Sequence, residues 1–216
     1  MPTMNRLPLS RLAWPAALAL TTLLSACSKP AEAPAATTSA TAPATAAVTP
    51  PSEPAPAPAA TQDVYTLAAT GSGFHTGPMM SAHTVYVFFD TTCPHCAHLW
   101  QAAQGLGSQL KIVWMPVGLL RPQSLPQGVT ILAAPDPAAA MAQNEASVAN
   151  HGNGITAMGT LDAAVAAKVK ANTELFNAIG TGEVPLIVYR NAKTGEVGKH
   201  AGAVDGAELL KLAGLP

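Results

Sequence analysis

Val85-Tyr86-Val87-Phe88-Phe89-Asp90-Thr91-Thr92-Cys93-Pro94-His95-Cys96-Ala97-His98-Leu99-Trp100 runs from one regular element into another. Its first five residues are an unbroken series of β-branched and aromatic side chains, the pattern of a strand buried on both faces. Asp90-Thr91-Thr92 ends the series. Beyond it, Leu99, Trp100 and Ala103 recur at helical spacing. A strand therefore feeds a helix whose opening turn contains a Cys-x-x-Cys. With Cys93 as the N-cap, Pro94 falls at the first helical position, where its fixed φ suits the helix and its missing N–H costs nothing. Cys96 falls at the third position, on the same face as Cys93, so the two sulfurs can meet.

That placement has a chemical consequence. The thiolate is the nucleophile in disulfide exchange. Cys93 lies where unpaired backbone N–H groups and the positive end of the helix dipole favour a negative charge. His95, between the cysteines, can add a donor or a positive charge, although it also reads as an exposed turn residue without a role. Cys93 is thus the expected attacking nucleophile and Cys96 the deeper, less activated resolving thiol, with Pro94 and His95 completing the motif.

Cysteine counting leaves other readings open. The chain holds 3 cysteines, and the third is Cys27. A lone Cys-x-x-Cys is a redox pair, half of a metal site or a structural bridge. A bridge closing so small a loop constrains the unfolded chain little. Tetrahedral zinc needs four ligands, so histidines among His75, His83, His98, His151 and His200 would have to complete the set. A c-type haem site requires histidine directly after the second cysteine, where Ala97 stands. The redox reading needs no further residue, metal or cofactor. The rival is a metal-binding or metallochaperone lipoprotein using Cys93, Cys96 and His95 or His98.

Downstream, Lys111-Ile112-Val113-Trp114-Met115-Pro116-Val117 reads as a second apolar strand, and strand–helix–strand implies a right-handed parallel crossover. An alanine-rich helix is expected from Pro137 to Val148. A longer helix follows, capped by Thr160 with Asp162 in its first turn and closed by Gly180. Leu161, Val165, Val169, Leu175, Phe176 and Ile179 form its apolar stripe. Glu183-Val184-Pro185-Leu186-Ile187-Val188-Tyr189 is a strand opened by a proline. A turn over Asn191 to Gly195 joins it to Glu196-Val197-Gly198-Lys199-His200. Asp205-Gly206-Ala207-Glu208 is a capping box ahead of a final helix with Leu209, Leu210 and Leu212. The order is βαβ, a helical segment of about 119–180, then ββα: an α/β fold.

Upstream, the material changes. Arg6 and Arg11 precede an apolar run from Leu12 to Leu24, too short at about 13 residues to span a bilayer, which takes roughly 20. A positive start, a short apolar core and a small-residue exit describe a secretory signal over 1–26. Residues 27–62 are alanine, proline and threonine with almost nothing large and apolar, a disordered tether. At ~3.1 Å per residue, its ~35 residues could reach ~100 Å. Residues 63–83 leave room for a short arm drawn from Tyr65, Leu67, Phe74, Met79 and Met80, and 84–216 is the folded domain. Charged residues are only 11% and net charge is −1, which gives no basic face for nucleic acid.

Two resemblances add to this. Leu24-Ser25-Ala26-Cys27 resembles a bacterial lipobox, which implies lipidation of Cys27 and anchoring to a membrane; an ordinary cleaved signal is the plainer alternative. Ser28 after it implies the outer membrane of a Gram-negative bacterium. Cys93-Pro94-His95-Cys96 with Val184-Pro185 resembles the thioredoxin superfamily, and in particular the periplasmic DsbC/DsbG thiol–disulfide interchange proteins, over roughly Thr84 to Pro216. Val85 to Asp90, Ile131 to Ala138 and Leu175 to Gly180 are similar to segments of DsbG. The resemblance implies a thioredoxin fold with a helical insert, and a cis Pro185 facing the cysteines, against the plainer trans edge-strand proline. It also implies that the backbone of Val184 binds substrate, that exported cysteine-containing proteins are the substrates, and that a membrane redox partner of the Dsb type serves the domain. Three features depart from that pattern: Pro94-His95 looks like DsbA, Val184 looks like DsbA, and only about 20 residues stand where that family has a dimerisation domain.

Overall fold

A computed structural model describes residues 63–216; the expected signal segment, Cys27 and the tether lie outside the described residues. The elements are α1 (Val64–Ala68), β1 (Phe74–Thr76), β2 (Thr84–Asp90), α2 (Pro94–Ala103), β3 (Lys111–Val117), α3 (Ser124–Ala133), α4 (Pro137–Ala149), α5 (Ala163–Ile179), β4 (Leu186–Arg190), β5 (Val197–Ala201) and α6 (Gly206–Leu212). One turn of 3₁₀ helix, Gln104–Leu106, continues α2.

The apolar runs become the middle of one sheet of order β1-β3-β2-β4-β5. β2 lies at its centre, parallel to β3 and antiparallel to β4. Val85, Val87, Phe88 and Phe89 are fully buried, as a strand covered on both faces requires. Adjacent residues of a strand point to opposite faces, and the neighbours of Phe88 and Phe89 show what covers each. Phe88 meets Phe176 of α5 with ring centroids 6.1 Å apart. Phe89 meets Trp114 at 6.2 Å, and Trp114 meets Trp100 of α2 at 5.0 Å. Helices α2 and α5 therefore cover opposite faces. Each such ring, truncated to alanine, would cost ~3–5 kcal/mol.

Pro116 sits inside β3 because its neighbour is short. β1 ends at its pairing with Trp114, so the edge beyond is open and a missing N–H there breaks no ladder. Asn172 of α5 occupies that gap. Its amide donates to the carbonyls of Ser72 at 2.7 Å and Pro116 at 3.1 Å and accepts from Ser72 N–H at 2.8 Å.

Three details differ from the sequence expectation. The long helix is capped by Asp162, whose carboxylate accepts from the N–H groups of Ala164 and Val165, and not by Thr160. An aspartate next to the first turn adds a negative charge that the dipole favours, which a threonine two residues earlier cannot supply. β4 starts at Leu186, leaving Val184 and Pro185 in the approach to the strand. Helix α3, expected only as an unspecified part of a helical segment of about 119–180, carries Pro126 and Gly128. Pro126 lies in its first turn, where an N–H has no partner in any case. Gly128 is where α3 touches β3: a β-carbon there would stand 3.0 Å from Pro116 Cβ.

Candidate functional site

The strand-to-helix junction is built around Asp90. Its side chain is fully buried and accepts from Thr92 N–H at 2.9 Å, Thr92 Oγ1 at 2.8 Å and Ser124 Oγ at 2.8 Å. The N–H groups of Leu119 and Leu120 donate to its other oxygen, each at 2.9 Å. A buried carboxylate is tolerable only when donors replace its water. This one therefore fixes three pieces of backbone together: the end of β2, the loop after β3 and the start of α3. Cys93 N–H closes the turn onto Asp90 O at 3.1 Å.

Cys93 is the N-cap of α2 with extended backbone, Pro94 takes the first helical position, and the N–H of Cys96 returns to Cys93 O at 3.1 Å. Both thiols are free and buried, Cys93 at 4% exposure and Cys96 at 0%. Their environments push them apart. The Cys93 thiol is lowered from 9.0 to about 6, above all by a hydrogen bond from the Cys96 thiol. Burial opposes the shift, while the backbone N–H groups of Cys96 and His95 and the charge of His95 assist it. The partner sulfur is thus a larger cause than the helix end and His95, which the sequence alone suggests. The Cys96 thiol is raised well above its usual value, first by burial and then because it donates to Cys93. Proton and charge are thus divided unequally between two sulfurs one turn apart.

Cys93 faces a groove. Its Sγ lies 3.5 Å from the carbonyl oxygen of Val184, and the Val184–Pro185 peptide bond is cis. His95, Leu120 and Glu183 line the same groove with Pro94. The structure brings Cys93, Pro94, His95 and Val184 to one opening, with Cys96 behind them and Pro185 following Val184 in the chain. His95 is exposed at the rim, its ring centroid 6.3 Å from that of His98. Among the described residues no group of three or more His, Cys, Asp or Glu side chains could hold a metal ion, and nothing supports metal binding by Cys93, Cys96, His95 and His98.

Behind the cysteines lies a polar layer that the sequence did not announce. Thr91 Oγ1 donates to Gln127 Oε1 at 3.0 Å, and Gln127 Nε2 donates to the carbonyls of Asn153 at 2.6 Å and Ile155 at 2.8 Å. Asn144 Nδ2 donates to Thr91 O at 2.8 Å and to Glu145 Oε1 at 3.0 Å, while its Oδ1 accepts from Ile155 N–H. Glu145 is fully buried, its Oε2 has no hydrogen-bond partner, and burial pushes its carboxyl up to about 8. The Asn144 hydrogen bond offsets part of this, and the charges of Cys93 and Asp90 add to it. The available signal was Asn144-Glu145 in an alanine-rich helix, which alone reads as a solvated face.

No protein-family model matches the chain. It is similar to the thiol:disulfide interchange protein DsbG of Pseudomonas aeruginosa, 28% identical over 132 residues, covering 60% of this chain and 50% of that protein. It is also similar to DsbG of Escherichia coli K12, 31% identical over 115 residues, covering 49% of this chain and 42% of that one. The chain spans about half the length of the curated relatives it matches. Among solved structures, it superposes on Pseudomonas aeruginosa DsbA2 with a TM-score of 0.53 at 19% identity, covering 64% of this chain and 90% of the other. A periplasmic thioredoxin-like protein of Salmonella enterica serovar Typhimurium gives 0.53 at 17% identity, with coverage of 65% and 87%. A mixed sheet with helices on both faces, a Cys-x-x-Cys at the start of α2 and these likenesses together give the chain a thioredoxin fold and make it similar to the Dsb thiol:disulfide interchange proteins.

Proposed function

We propose that this chain is an envelope thiol–disulfide oxidoreductase that exchanges disulfides with cysteines of exported proteins. The observation that carries this reading is the asymmetry of the pair: Cys93 held at about 6 beside an opening, Cys96 buried and raised. In the reducing sense, the Cys93 thiolate attacks a substrate disulfide, forms a mixed disulfide and expels one substrate thiolate. Cys96, once deprotonated, attacks Cys93 Sγ, forms the Cys93–Cys96 disulfide and releases the second substrate thiolate. Two electrons pass from the dithiol to the substrate, and the same steps in reverse donate a disulfide. A thiol poised near ambient pH suits either direction.

Substrate recognition falls to Val184, whose carbonyl lies beside the sulfur and offers an extended cysteine-bearing segment a backbone partner, as in β-augmentation. Leu120 and Glu183 flank that path. A signal segment over 1–26 and a lipid on Cys27 would place the domain in the periplasm, tethered to the outer membrane of a Gram-negative bacterium and served by a membrane redox partner of the Dsb type. The names of the relatives support the exchange chemistry, and the lipobox-like Leu24-Ser25-Ala26-Cys27 supports the anchor. Cys93→Ser is expected to abolish insulin reduction and mixed-disulfide capture; undiminished activity would end the proposal. Cys27→Ser is expected to release the protein from the membrane fraction.

A further inference from the structure

Pro94 is a wall shared by two openings. One is the groove that holds Cys93 and Val184; the other is a cleft of about 190 Å³ that the exchange steps above leave unused. Three segments meet around this cleft. Thr92 comes from the end of β2, Arg121 and Gln123 from the loop after β3, and His151 and Asn153 from the segment after α4. Among the described residues no acidic side chain lines it.

Several features make the cleft a place for negative charge. Arg121 carries a permanent charge, and the ion pairs among the described residues, Arg190–Asp63 and Lys211–Glu208, leave it without a carboxylate. Its backbone is fixed: its N–H donates to Ser124 Oγ at 3.1 Å, and that hydroxyl donates to Asp90. Two helices begin at the cleft. α2 starts at Pro94 and α3 at Ser124, each without a side-chain cap, and the start of a helix favours an anion. α4 ends there, but its last carbonyls are occupied. Asn150 Nδ2 donates to Ala146 O, Gly152 N–H to Ser147 O and His151 N–H to Val148 O. His151 itself is held at a cost. It is the one non-glycine residue with positive φ among the described residues, at 61°. At the end of a helix that conformation belongs to glycine, because a β-carbon crowds the backbone there. A histidine in this position calls for a use, and its ring lines the cleft with Arg121.

We propose that the cleft is a carboxylate subsite for the half of the substrate disulfide that stays on Cys93, with Arg121 and His151 as its specificity-determining residues. The Cys93 thiolate attacks the sulfur of that half and forms a new sulfur–sulfur bond. The old bond breaks, and the other sulfur leaves with its electron pair as a thiolate. A carboxylate carried close to the attached sulfur reaches past Pro94, where the Arg121 guanidinium and an imidazole N–H of His151 donate to it. Attack on that sulfur is thereby favoured over attack on its partner, and over disulfides that carry no carboxylate. Glu183, an exposed acid in the groove of Cys93, repels a carboxylate that would lie there instead. An acidic residue beside a cysteine in an exported protein and the carboxylates of glutathione offer the same chemistry.

The inference rests on the exchange reading of Cys93, and the test separates the two. Dithiol protein is mixed at low ionic strength with four disulfides: glutathione disulfide, uncharged hydroxyethyl disulfide, and two cysteine-peptide disulfides that differ by one Glu or Gln beside the cysteine. Oxidation of the pair is followed by rapid quench and alkylation. Carboxylate preference is the rate ratio of glutathione disulfide to hydroxyethyl disulfide, or of the Glu peptide to the Gln peptide. Arg121→Gln is expected to lower it by about tenfold and His151→Gly by about threefold. Both differences should shrink at ~1 M salt. Arg121 is exposed and glycine suits the left-handed position, so neither variant should lose stability. A fall in either ratio supports the subsite; a fall confined to the glutathione ratio assigns it to the small thiol, and one confined to the peptide ratio assigns it to protein substrates. Unchanged ratios in both variants would overturn the proposal. Should the unsubstituted protein be oxidised by none of the four, the exchange reading fails, and NMR of the His151 imidazole with S-methylglutathione decides the subsite. A shift that weakens in Arg121→Gln supports it; no shift in the unsubstituted protein overturns it.

Discussion

The two sides of the α2 opening turn make opposite use of similar atoms. On the outer side, Cys93, His95, Leu120 and Val184 border an open groove, and the sulfur is held ready to be charged. On the inner side, Cys96, Glu145 and Asp90 are fully buried, and the first two are held toward their neutral forms. Asp90 and Glu145 are both buried acids, yet five donors surround the first and one the second. Five donors replace the water lost by the first, whereas one donor leaves the second with most of its burial cost, which pushes its carboxyl up. The satisfied acid secures backbone, while the unsatisfied one stays responsive to charge on the sulfurs.

The sharpest way to break this comparison is to remove the inner sulfur. Cys96→Ser leaves Cys93 able to attack but nothing to resolve the adduct, so stable mixed disulfides with substrate proteins should accumulate on non-reducing gels, with turnover lost. Cys96→Ala, which leaves no donor in place of the thiol, removes the main cause of the low Cys93 value. Its iodoacetamide reactivity should then reach half-maximum well above the point near 6 expected for the parent protein, with rates falling at pH 7 by at least tenfold. Next in size is Asp90→Asn. It turns one acceptor oxygen into a donor facing the donors of this junction, and the loss of charged hydrogen bonds should cost about 2–3 kcal/mol in urea unfolding of the dithiol form.

A fourth test uses pH. Because Cys93 ionises below its ordinary value of 9.0 in the folded state, its ionisation stabilises the dithiol form above that pH. The contribution is lost as pH falls through about 6. Cys93→Ser, compared with the parent dithiol at pH 5.5 and 8, should therefore show the larger stability deficit at pH 8. The smallest effect lies far from the sulfurs: Asp162→Ala should cost ~1 kcal/mol through the lost cap of α5 and leave the alkylation profile unchanged.

The parts of the molecule legible in sequence were those governed by local pattern. Val85 to Phe89 and Ile112 to Val117 gave strands because a strand covered on both faces needs nothing but apolar residues. Cys93, Pro94 and Cys96 gave the turn because a helix start has strict chemistry of its own. What escaped depended on distance along the chain. Asp90 looked like a strand ending, and only the fold brings Leu119, Leu120 and Ser124 to it. Helix α3 was legible only as an unspecified part of a helical segment, and the fit of its Gly128 depends on the position of Pro116. Asn144 and Glu145 drew no reading from the sequence, because their burial depends on how α4 lies against α2. The effect of Cys96 on Cys93 was underrated because spacing shows that two sulfurs can meet, not which one donates.

Trp100 and Trp114, with ring centroids 5.0 Å apart and interplanar angle 66°, have a consequence beyond core packing. One indole rides on the helix that carries the sulfurs, four residues past Cys96, and the other on the strand beneath it. Chromophores this close and this inclined couple optically, so their near-ultraviolet dichroism registers small changes in how the helix seats on the sheet. Any shift of α2 on the sheet when the Cys93–Cys96 bond closes should therefore register in the near-ultraviolet dichroism of the unlabelled protein.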